Sequence, residues 1–166
     1  GVLRALWADG ARGPGLDVLF GGDLPIGAGL SSSASICIAF ALALDRTWGL
    51  SIGVRRRVQV ALEAEREFVG VRCGVMDPYA IGMARPDHLL WLDCKDLSHE
   101  HLPLDSREVL LAVADTGVRR ALAGSAFNER VRQAAAAFDA LASLAGPGEA
   151  FECLRDVPRA FLEAHE

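Results

Sequence analysis

The segment Pro25–Ala34, PIGAGLSSSA, decides how this sequence is interpreted, because it places two glycines and three serines directly before an apolar run. A glycine-rich turn that leads into a helix presents several backbone N–H groups, and the positive end of the helix dipole, to a phosphate. Serine hydroxyls can cap the helix or bind Mg²⁺. The segment lacks the Gly-Lys-Ser/Thr ending of a Walker loop and the spacing of a dinucleotide fingerprint. The segment is therefore either a phosphate-binding loop or a plain strand-to-helix turn with a serine cap.

Hydrophobic periodicity and turn residues predict the elements on either side of this segment. The predicted helices span residues 2–7, 34–48, 78–84 and 119–144. The candidate strands span residues 16–20, 88–94 and 109–116. Residues 34–48 are apolar at nearly every position, which predicts a helix that is buried on all sides and ends at Gly49.

A further helix is predicted after Ser51, whose side chain can cap it. Its apolar positions recur every three or four residues and are Val54, Val58, Ala61 and Leu62. Continuing this stripe leads to Glu65, and a carboxylate on a core-facing stripe is costly unless it is paired or bound to a cation. Glu65 is therefore either a cation ligand or a solvated residue at the end of the helix.

Composition limits the possible partners. With 17 basic and 22 acidic residues and a net charge of -5, the chain is expected to bind neither nucleic acid nor an anionic membrane surface. No segment reaches about 18 uninterrupted apolar residues, so no membrane span is predicted. The four cysteines are widely spaced, without histidines at zinc-ligand spacing, which favours reduced thiols and a cytoplasmic protein. A small molecule is the expected partner.

Four segments, in order along the chain, carry a resemblance to a known family. PIGAGLSSSASICIAFALAL resembles the second signature motif of the GHMP kinases, and its triple serine is most similar to the galactokinase branch. AEREFVGVRCGVMDPYA resembles the galactokinase stretch ending in Cys-Gly-Ile/Val-Met-Asp-Gln, and DHLLWLDCKDL resembles the strand and turn that follow it. LLAVADTGVRRALAGSAFNERVRQAA is similar to the segment with Asn-Ser-Asn-Val-Arg-His. The resemblance covers roughly residues 1–140.

The resemblance implies an α+β GHMP kinase fold. Residues 1–105 would form part of the amino-terminal, ATP-binding domain, of the ribosomal protein S5 domain 2 type. Residues 106–166 would begin the ferredoxin-like carboxy-terminal domain.

The resemblance also implies where ATP and its metal ion bind. The residues implied to hold the ATP phosphates are Gly27, Ala28, Gly29, Leu30, Ser31, Ser32 and Ser33. Ser33 and Glu65 are implied to bind Mg²⁺, the cofactor that accompanies ATP. A hard divalent cation prefers carboxylate, hydroxyl and phosphate oxygens, so this assignment gives an inward-facing Glu65 a reason to be there.

Asp77 matches the catalytic aspartate of the family, which accepts the proton of the C1 hydroxyl or orients that hydroxyl. The alternative is a cap on the helix predicted to start at Pro78. Gly74 matches the backbone position that lies against the sugar, and Phe127 stands where the family has a sugar-contacting tyrosine. Arg119 matches an arginine that can steady the transferred phosphate, with a solvated arginine at a helix start as its alternative.

The implied activity is transfer of the γ-phosphate of ATP to the anomeric C1 hydroxyl of galactose. Phe127 lacks the tyrosine hydroxyl, and Pro78 replaces a glutamine, so a kinase for arabinose or a heptose is an alternative. A non-catalytic galactokinase-like sensor that binds sugar and ATP is another. The complete protein is expected to be a monomer.

Two galactokinase motifs have no counterpart in the sequence. One is the early Gly-Glu-His-Thr-Asp-Tyr motif, which supplies most of the sugar contacts, and the other is the late Gly-Gly-Gly-Phe-Gly-Gly motif. The resemblance therefore implies that the chain corresponds to the middle of a galactokinase and has little activity alone.

Overall fold

The fold comes from a computed structural model, which describes residues 1–115, 117, 126–146 and 150–165. By its internal contacts the chain divides into two compact units, Gly1–Ala123 and Gly124–Glu166. The predicted domain boundary after residue 105 stays a prediction.

The first unit combines helices with a small sheet. Helices α1 to α4 span Val2–Ala8, Ser32–Trp48, Val54–Glu63 and Met76–Met83, and a π-helical turn spans Ala64–Val69. Strands β1 (His88–Leu92) and β2 (His99–Pro103) pair in antiparallel register, with Leu90 opposite His101. Helices beside a short antiparallel sheet confirm the predicted α+β class.

Two apolar clusters hold the helices of the first unit together. In one cluster α1, α2 and α3 meet through Leu6, Leu44 and Val60, which are at most 1% exposed. The other joins α2, α3 and α4 around Tyr79 and Ile38. Each large apolar side chain buried in this way contributes about 1.5–3 kcal/mol. Because α2 belongs to both clusters, the start of α2 is fixed relative to α3 and α4.

Helix α2 is buried along one stripe and not on all sides as the sequence predicted. Its buried residues repeat every three or four positions and are Ala34, Ile38, Ala41 and Leu44. Ile36, away from this stripe, is 47% exposed. Apolar composition does not reveal how many neighbours a helix meets, and the described elements cover only one side. Gly49 ends α2 as predicted, with a φ of +64°.

Helix α3 starts later than predicted, because Gly53 and not Ser51 is its N-cap residue. The Asp45 carboxylate accepts the backbone N–H of Ile52 at 2.9 Å and pairs with the Arg57 guanidinium at 2.9 Å. These bonds hold the turn after α2, in which Ser51 has a left-handed φ of +56°.

Two of the three candidate strands are not strands. Residues 16–20 and 109–115 have no regular structure, and Thr116 lies outside the described residues. A strand needs a neighbouring strand to pair with its backbone groups, and within the described ranges neither segment is paired in a sheet. Phe20 instead packs edge-on against Phe40 of α2, with ring centroids 5.3 Å apart.

The hairpin and α4 differ in detail from their predictions. The strand predicted over 88–94 is confirmed as β1, two residues shorter. The sequence did not predict β2, because its five residues, HEHLP, include only one large apolar side chain and end in a proline. Helix α4 begins at Met76, two residues before the predicted start, so Asp77 lies inside its first turn and is not its N-cap.

The second unit contains α5 (Ala126–Ser143), a short 3₁₀ turn and α6 (Arg159–Ala164). Residues 119–125 of the predicted helix 119–144 lie outside the described residues, and Arg119 with them. Across the part of the chain that the structure describes, none of the helices is long and apolar enough to cross a membrane.

Candidate functional site

The loop before α2 adopts a backbone that suits its glycines. Gly27, Gly29 and Ser31 all lie in the left-handed region, with φ values of +73°, +81° and +55°. Glycine adopts this region at no steric cost, whereas Ser31 is a non-glycine residue held there. A Cβ built on Gly29 meets nothing within 4 Å, so the space beside this residue is open.

Ser31 is the N-cap residue of α2, but its side chain makes no cap hydrogen bond. The serine-cap interpretation is therefore not what the structure shows at Ser31. The first-turn N–H groups of a helix have no partner within the helix, and here no Ser31 cap satisfies them. At the start of a helix of 17 residues these donors form a positive end that favours an anion.

Glu65 is brought to the start of α2 by the π-helical turn that continues α3. In this turn the Glu65 carbonyl accepts the N–H of Val71 at 3.0 Å, and Gly70 reverses the chain with a φ of +84°. π-Helical turns are rare and occur frequently at functional sites. Glu65 is 8% exposed, so the alternative of a solvated residue at the end of the helix is wrong.

Both oxygens of the Glu65 carboxylate accept a hydrogen bond. The Ser33 hydroxyl, in the first turn of α2, donates to Oε1 at 2.6 Å. The Cys73 thiol donates to Oε2 at 3.4 Å. The sequence did not indicate the contact with Cys73, because it depends on the π-helical turn, which apolar periodicity does not reveal.

The Ser33 hydroxyl and the Glu65 carboxylate fit a hard divalent cation. Both are oxygen donors, they lie in contact, and the carboxylate is buried, where a negative charge gains most from a cation. Among residues 1–115, 117, 126–146 and 150–165, no group of three or more His, Cys, Asp or Glu side chains could hold a metal by itself. Mg²⁺ suits such a place, since it commonly takes one or two protein ligands and fills the rest with phosphate and water.

Two thiols near Glu65 are held in their neutral form. Burial, and next the negative charge of Glu65, raise the pKa of Cys73 to about 11. The same two causes, in the same order, raise the pKa of Cys37. All four cysteines of the chain are free thiols.

We expect Cys73 to react with iodoacetamide roughly a hundredfold more slowly at pH 8 than a thiol at its ordinary pKa of 9.0, because a pKa of about 11 lowers the thiolate fraction by that factor. The exposed Cys94 serves as the internal reference. Because the folded-state pKa is raised, the stability that the neutral thiol contributes is complete below about pH 9 and is lost as the pH rises through about 11. Mass spectrometry of peptides alkylated between pH 8 and 11 measures both rates.

Glu65→Gln removes the negative charge and should speed the alkylation of Cys73 without changing that of Cys94. Equal rates at the two thiols in the unchanged protein would contradict the raised pKa.

Asp77 occupies the second position of α4. The next two residues, Pro78 and Tyr79, are buried, and the Tyr79 hydroxyl donates to the carbonyl of Leu97 at 3.2 Å. These contacts fix the start of α4, while the Asp77 side chain is half-buried. Gly74, three residues earlier, is exposed and has no atom within 4 Å of a built Cβ.

The structure does not test the two remaining candidates, Arg119 and Phe127. Arg119 lies outside the described residues. Phe127 lies in the first turn of α5 in the second unit, where its side chain is 49% exposed. Their roles stay predictions.

Comparison with known proteins places this geometry in a family. Residues 1–85 match the model of the GHMP kinases N terminal domain. The chain belongs to the GHMP kinase family. Its relatives include the galactokinase of Roseiflexus sp. strain RS-1, which is 40% identical over 166 residues, 100% of this chain and 41% of the relative. The galactokinase of Fusobacterium nucleatum is 41% identical over 116 residues, 70% of this chain and 30% of the relative.

A comparison with a solved structure supports the GHMP kinase fold. The crystal structure of Lactococcus lactis galactokinase complexed with galactose superposes with a TM-score of 0.78 and 25% identity, covering 99% of this chain and 42% of that chain. The expected GHMP kinase fold is confirmed. The chain spans about 30–41% of the length of these two galactokinase relatives.

Proposed function

We propose that the protein is an ATP-dependent sugar kinase of the galactokinase type, which transfers the γ-phosphate to the anomeric C1 hydroxyl of galactose. The observation that carries this proposal is the contact between Ser33 and Glu65. It puts a buried carboxylate and a hydroxyl side by side at the start of α2, directly after the glycine–serine loop.

The loop binds the phosphates of ATP in this proposal. The backbone of residues 27–33, with left-handed turns at Gly27 and Gly29, brings N–H groups close to phosphate oxygens. Ser31 and Ser32 add hydroxyl donors. The positive end of α2 offsets part of the phosphate charge.

Ser33 and Glu65 would hold Mg²⁺. When bound, the ion neutralises charge on the phosphates during phosphoryl transfer. The buried carboxylate of Glu65 and the hydroxyl of Ser33 keep two oxygen donors in contact before the ion arrives.

Asp77 would receive the C1 hydroxyl of the sugar. The oxygen of that hydroxyl forms the new bond to the γ-phosphorus while the bond to the bridging oxygen of ADP breaks, and Asp77 accepts or orients the proton. Among the described residues no hydrogen bond or ion pair occupies the Asp77 carboxylate. Gly74 would place its backbone against the sugar, and Phe127 would contact the sugar with its ring. Arg119 would bring a positive charge to the transferred phosphate.

A coupled ADP-release assay on the protein that carries this sequence tests the proposal. We expect Mg²⁺-dependent ADP release with galactose. Turnover with arabinose or a heptose in place of galactose would assign another sugar, as the replacements at Phe127 and Pro78 allow. Sugar and ATP binding without turnover would instead identify a sensor. Mg²⁺-independent release, or no ATP binding, would contradict a kinase.

Gly29→Ala should weaken ATP binding at least tenfold, because a methyl group would enter the open space beside the loop where phosphate approaches. Gly10→Ala is the matched control, since Gly10 also has a positive φ, +83°, and open space around its Cβ position. Both variants carry similar backbone strain, of about 1–2 kcal/mol. Titration calorimetry with ATP should therefore separate them, and equal losses of affinity in both variants would contradict phosphate binding at Gly29.

The function implies a compartment that supplies ATP, and the free thiols suit the cytoplasm. The monomeric state stays a prediction.

A further inference from the structure

Cys73 is fixed beside Glu65 by two separate hydrogen bonds. Its thiol donates to Glu65 Oε2 at 3.4 Å. Its backbone carbonyl accepts the Nε–H of Arg66 at 2.8 Å. Glu65 and Arg66 are neighbours in the π-helical turn, so this one turn binds both the side chain and the backbone carbonyl of Cys73.

The thiol reaches the carboxylate oxygen that Ser33 leaves free. Ser33 donates to Oε1 and Cys73 to Oε2, so the two donors fix the rotation of the carboxylate about its last bond. The Val71 N–H, which donates to the Glu65 carbonyl at 3.0 Å, closes the loop and keeps Cys73 at this distance. Hydrogen bonds of this kind to a ligating carboxylate orient it for its metal.

The chemistry of a thiol suits this role. A neutral thiol is a weak hydrogen-bond donor, and sulfur is a soft ligand that does not compete for a hard cation such as Mg²⁺. Cys73 can therefore orient the carboxylate without itself binding the ion.

We propose that Cys73 is a positioning residue, which holds the Glu65 carboxylate in the orientation that binds a divalent cation. This inference rests on the proposed function, because it takes Ser33 and Glu65 as the metal ligands. It adds a residue that acts through Glu65 and not on the substrate.

Infrared spectroscopy of the metal-free protein tests the contact itself. The S–H stretching band of Cys73, obtained as the difference between the unchanged protein and Cys73→Ala, should lie below the band of the exposed Cys94. Glu65→Gln should move the Cys73 band toward that of Cys94, since an amide oxygen is a weaker acceptor than a carboxylate. A Cys73 band that coincides with the Cys94 band, or that Glu65→Gln leaves in place, would overturn the inference.

Manganese binding tests the consequence, with Mn²⁺ and a non-hydrolysable ATP analogue as the probe and electron paramagnetic resonance as the readout. Cys73→Ala should weaken Mn²⁺ binding about tenfold. Removing a residue that hydrogen-bonds to a metal ligand typically lowers metal affinity about 10- to 100-fold, and tenfold is the lower end of that range. Cys73→Ser keeps a donor and should restore most of the affinity. The affinity for the analogue without metal should be the same in all three proteins.

Cys37→Ala is the matched control. Cys37 is a half-buried thiol of α2 that senses the charge of Glu65 but, within the described residues, makes no hydrogen bond to it. Equal effects of Cys37→Ala and Cys73→Ala, or no rescue by Cys73→Ser, would show a packing effect and overturn the inference. If the unchanged protein binds no Mn²⁺ with the analogue, the proposed function fails and the inference falls with it. Normal Mn²⁺ binding in Cys73→Ala overturns the inference alone.

Discussion

Asp77→Asn should lower the turnover of the sugar kinase reaction at least about a hundredfold, the lower end of what a positioned acid or base contributes. Asparagine keeps the size of the side chain and its place in the first turn of α4, but it cannot accept the proton of the C1 hydroxyl. The buried Pro78 and Tyr79 hold the start of this helix, so the fold should not change. ADP release at saturating ATP and galactose measures the effect.

Asp139→Asn is the control for Asp77→Asn. Asp139 is an exposed residue of α5, so the same chemical change there should leave turnover and stability unchanged. Sugar and ATP affinities of the Asp77 variant should stay within about threefold of normal, since the lost interaction belongs to the transition state. Normal turnover in Asp77→Asn would remove Asp77 from the catalytic role.

Glu65→Gln should raise the Mg²⁺ concentration needed for half-maximal activity by about a hundredfold or more. Loss of a residue that only hydrogen-bonds to a metal ligand lowers metal affinity about 10- to 100-fold, and loss of the ligand itself should lower it further. The amide has nearly the same shape and keeps an acceptor for Ser33, but it has no charge to offset that of the cation. Activity measured across a Mg²⁺ titration gives the shift directly.

Glu63→Gln offers a close comparison, two residues away at the end of α3. Glu63 pairs with Arg56 at 2.6 Å and its side chain is 34% exposed. Within the described residues it makes no hydrogen bond or ion pair with Ser33 or Glu65, the two proposed metal ligands. Losing a partly exposed ion pair costs about 1 kcal/mol or less, so its Mg²⁺ requirement should not change. An unchanged Mg²⁺ requirement in Glu65→Gln, or an equal shift in both variants, would contradict a metal role for Glu65.

The sequence was sufficient wherever one local rule decided the outcome. The three- and four-residue spacing along α3 predicts an inward Glu65, and the structure buries it. Gly49 ends α2 because a left-handed residue is required there. The order of glycines and serines before α2 likewise indicated a turn that opens a helix.

The sequence was insufficient where distant residues decide. Residues 16–20 are as apolar as a strand, but pairing depends on a partner that local pattern does not supply. Ser51 is a residue type that often caps helices. The Asp45 carboxylate, however, accepts hydrogen bonds from Ile52 and Arg57 that hold the turn containing Ser51, and Gly53 is the N-cap residue of α3. The sequence did not predict the contact between Cys73 and Glu65, because a π-helical turn, which the spacing of apolar residues does not reveal, brings the thiol to the carboxylate.

Binding of a nucleotide and a divalent cation at the start of α2 can be measured directly by nuclear magnetic resonance of the isotope-labelled chain. Mn²⁺ added in small amounts with ATP should broaden the backbone amide signals of residues 27–33 and of Glu65 first. The last turn of α2 should broaden far less, because it lies about 20 Å from the start of this 17-residue helix. Without ATP the broadening of residues 27–33 should be much weaker, because the phosphates supply most of the ligands. Sharp signals from residues 27–33 in the presence of Mn²⁺ and ATP, with broadening elsewhere in the chain, would contradict a phosphate and metal site at this loop.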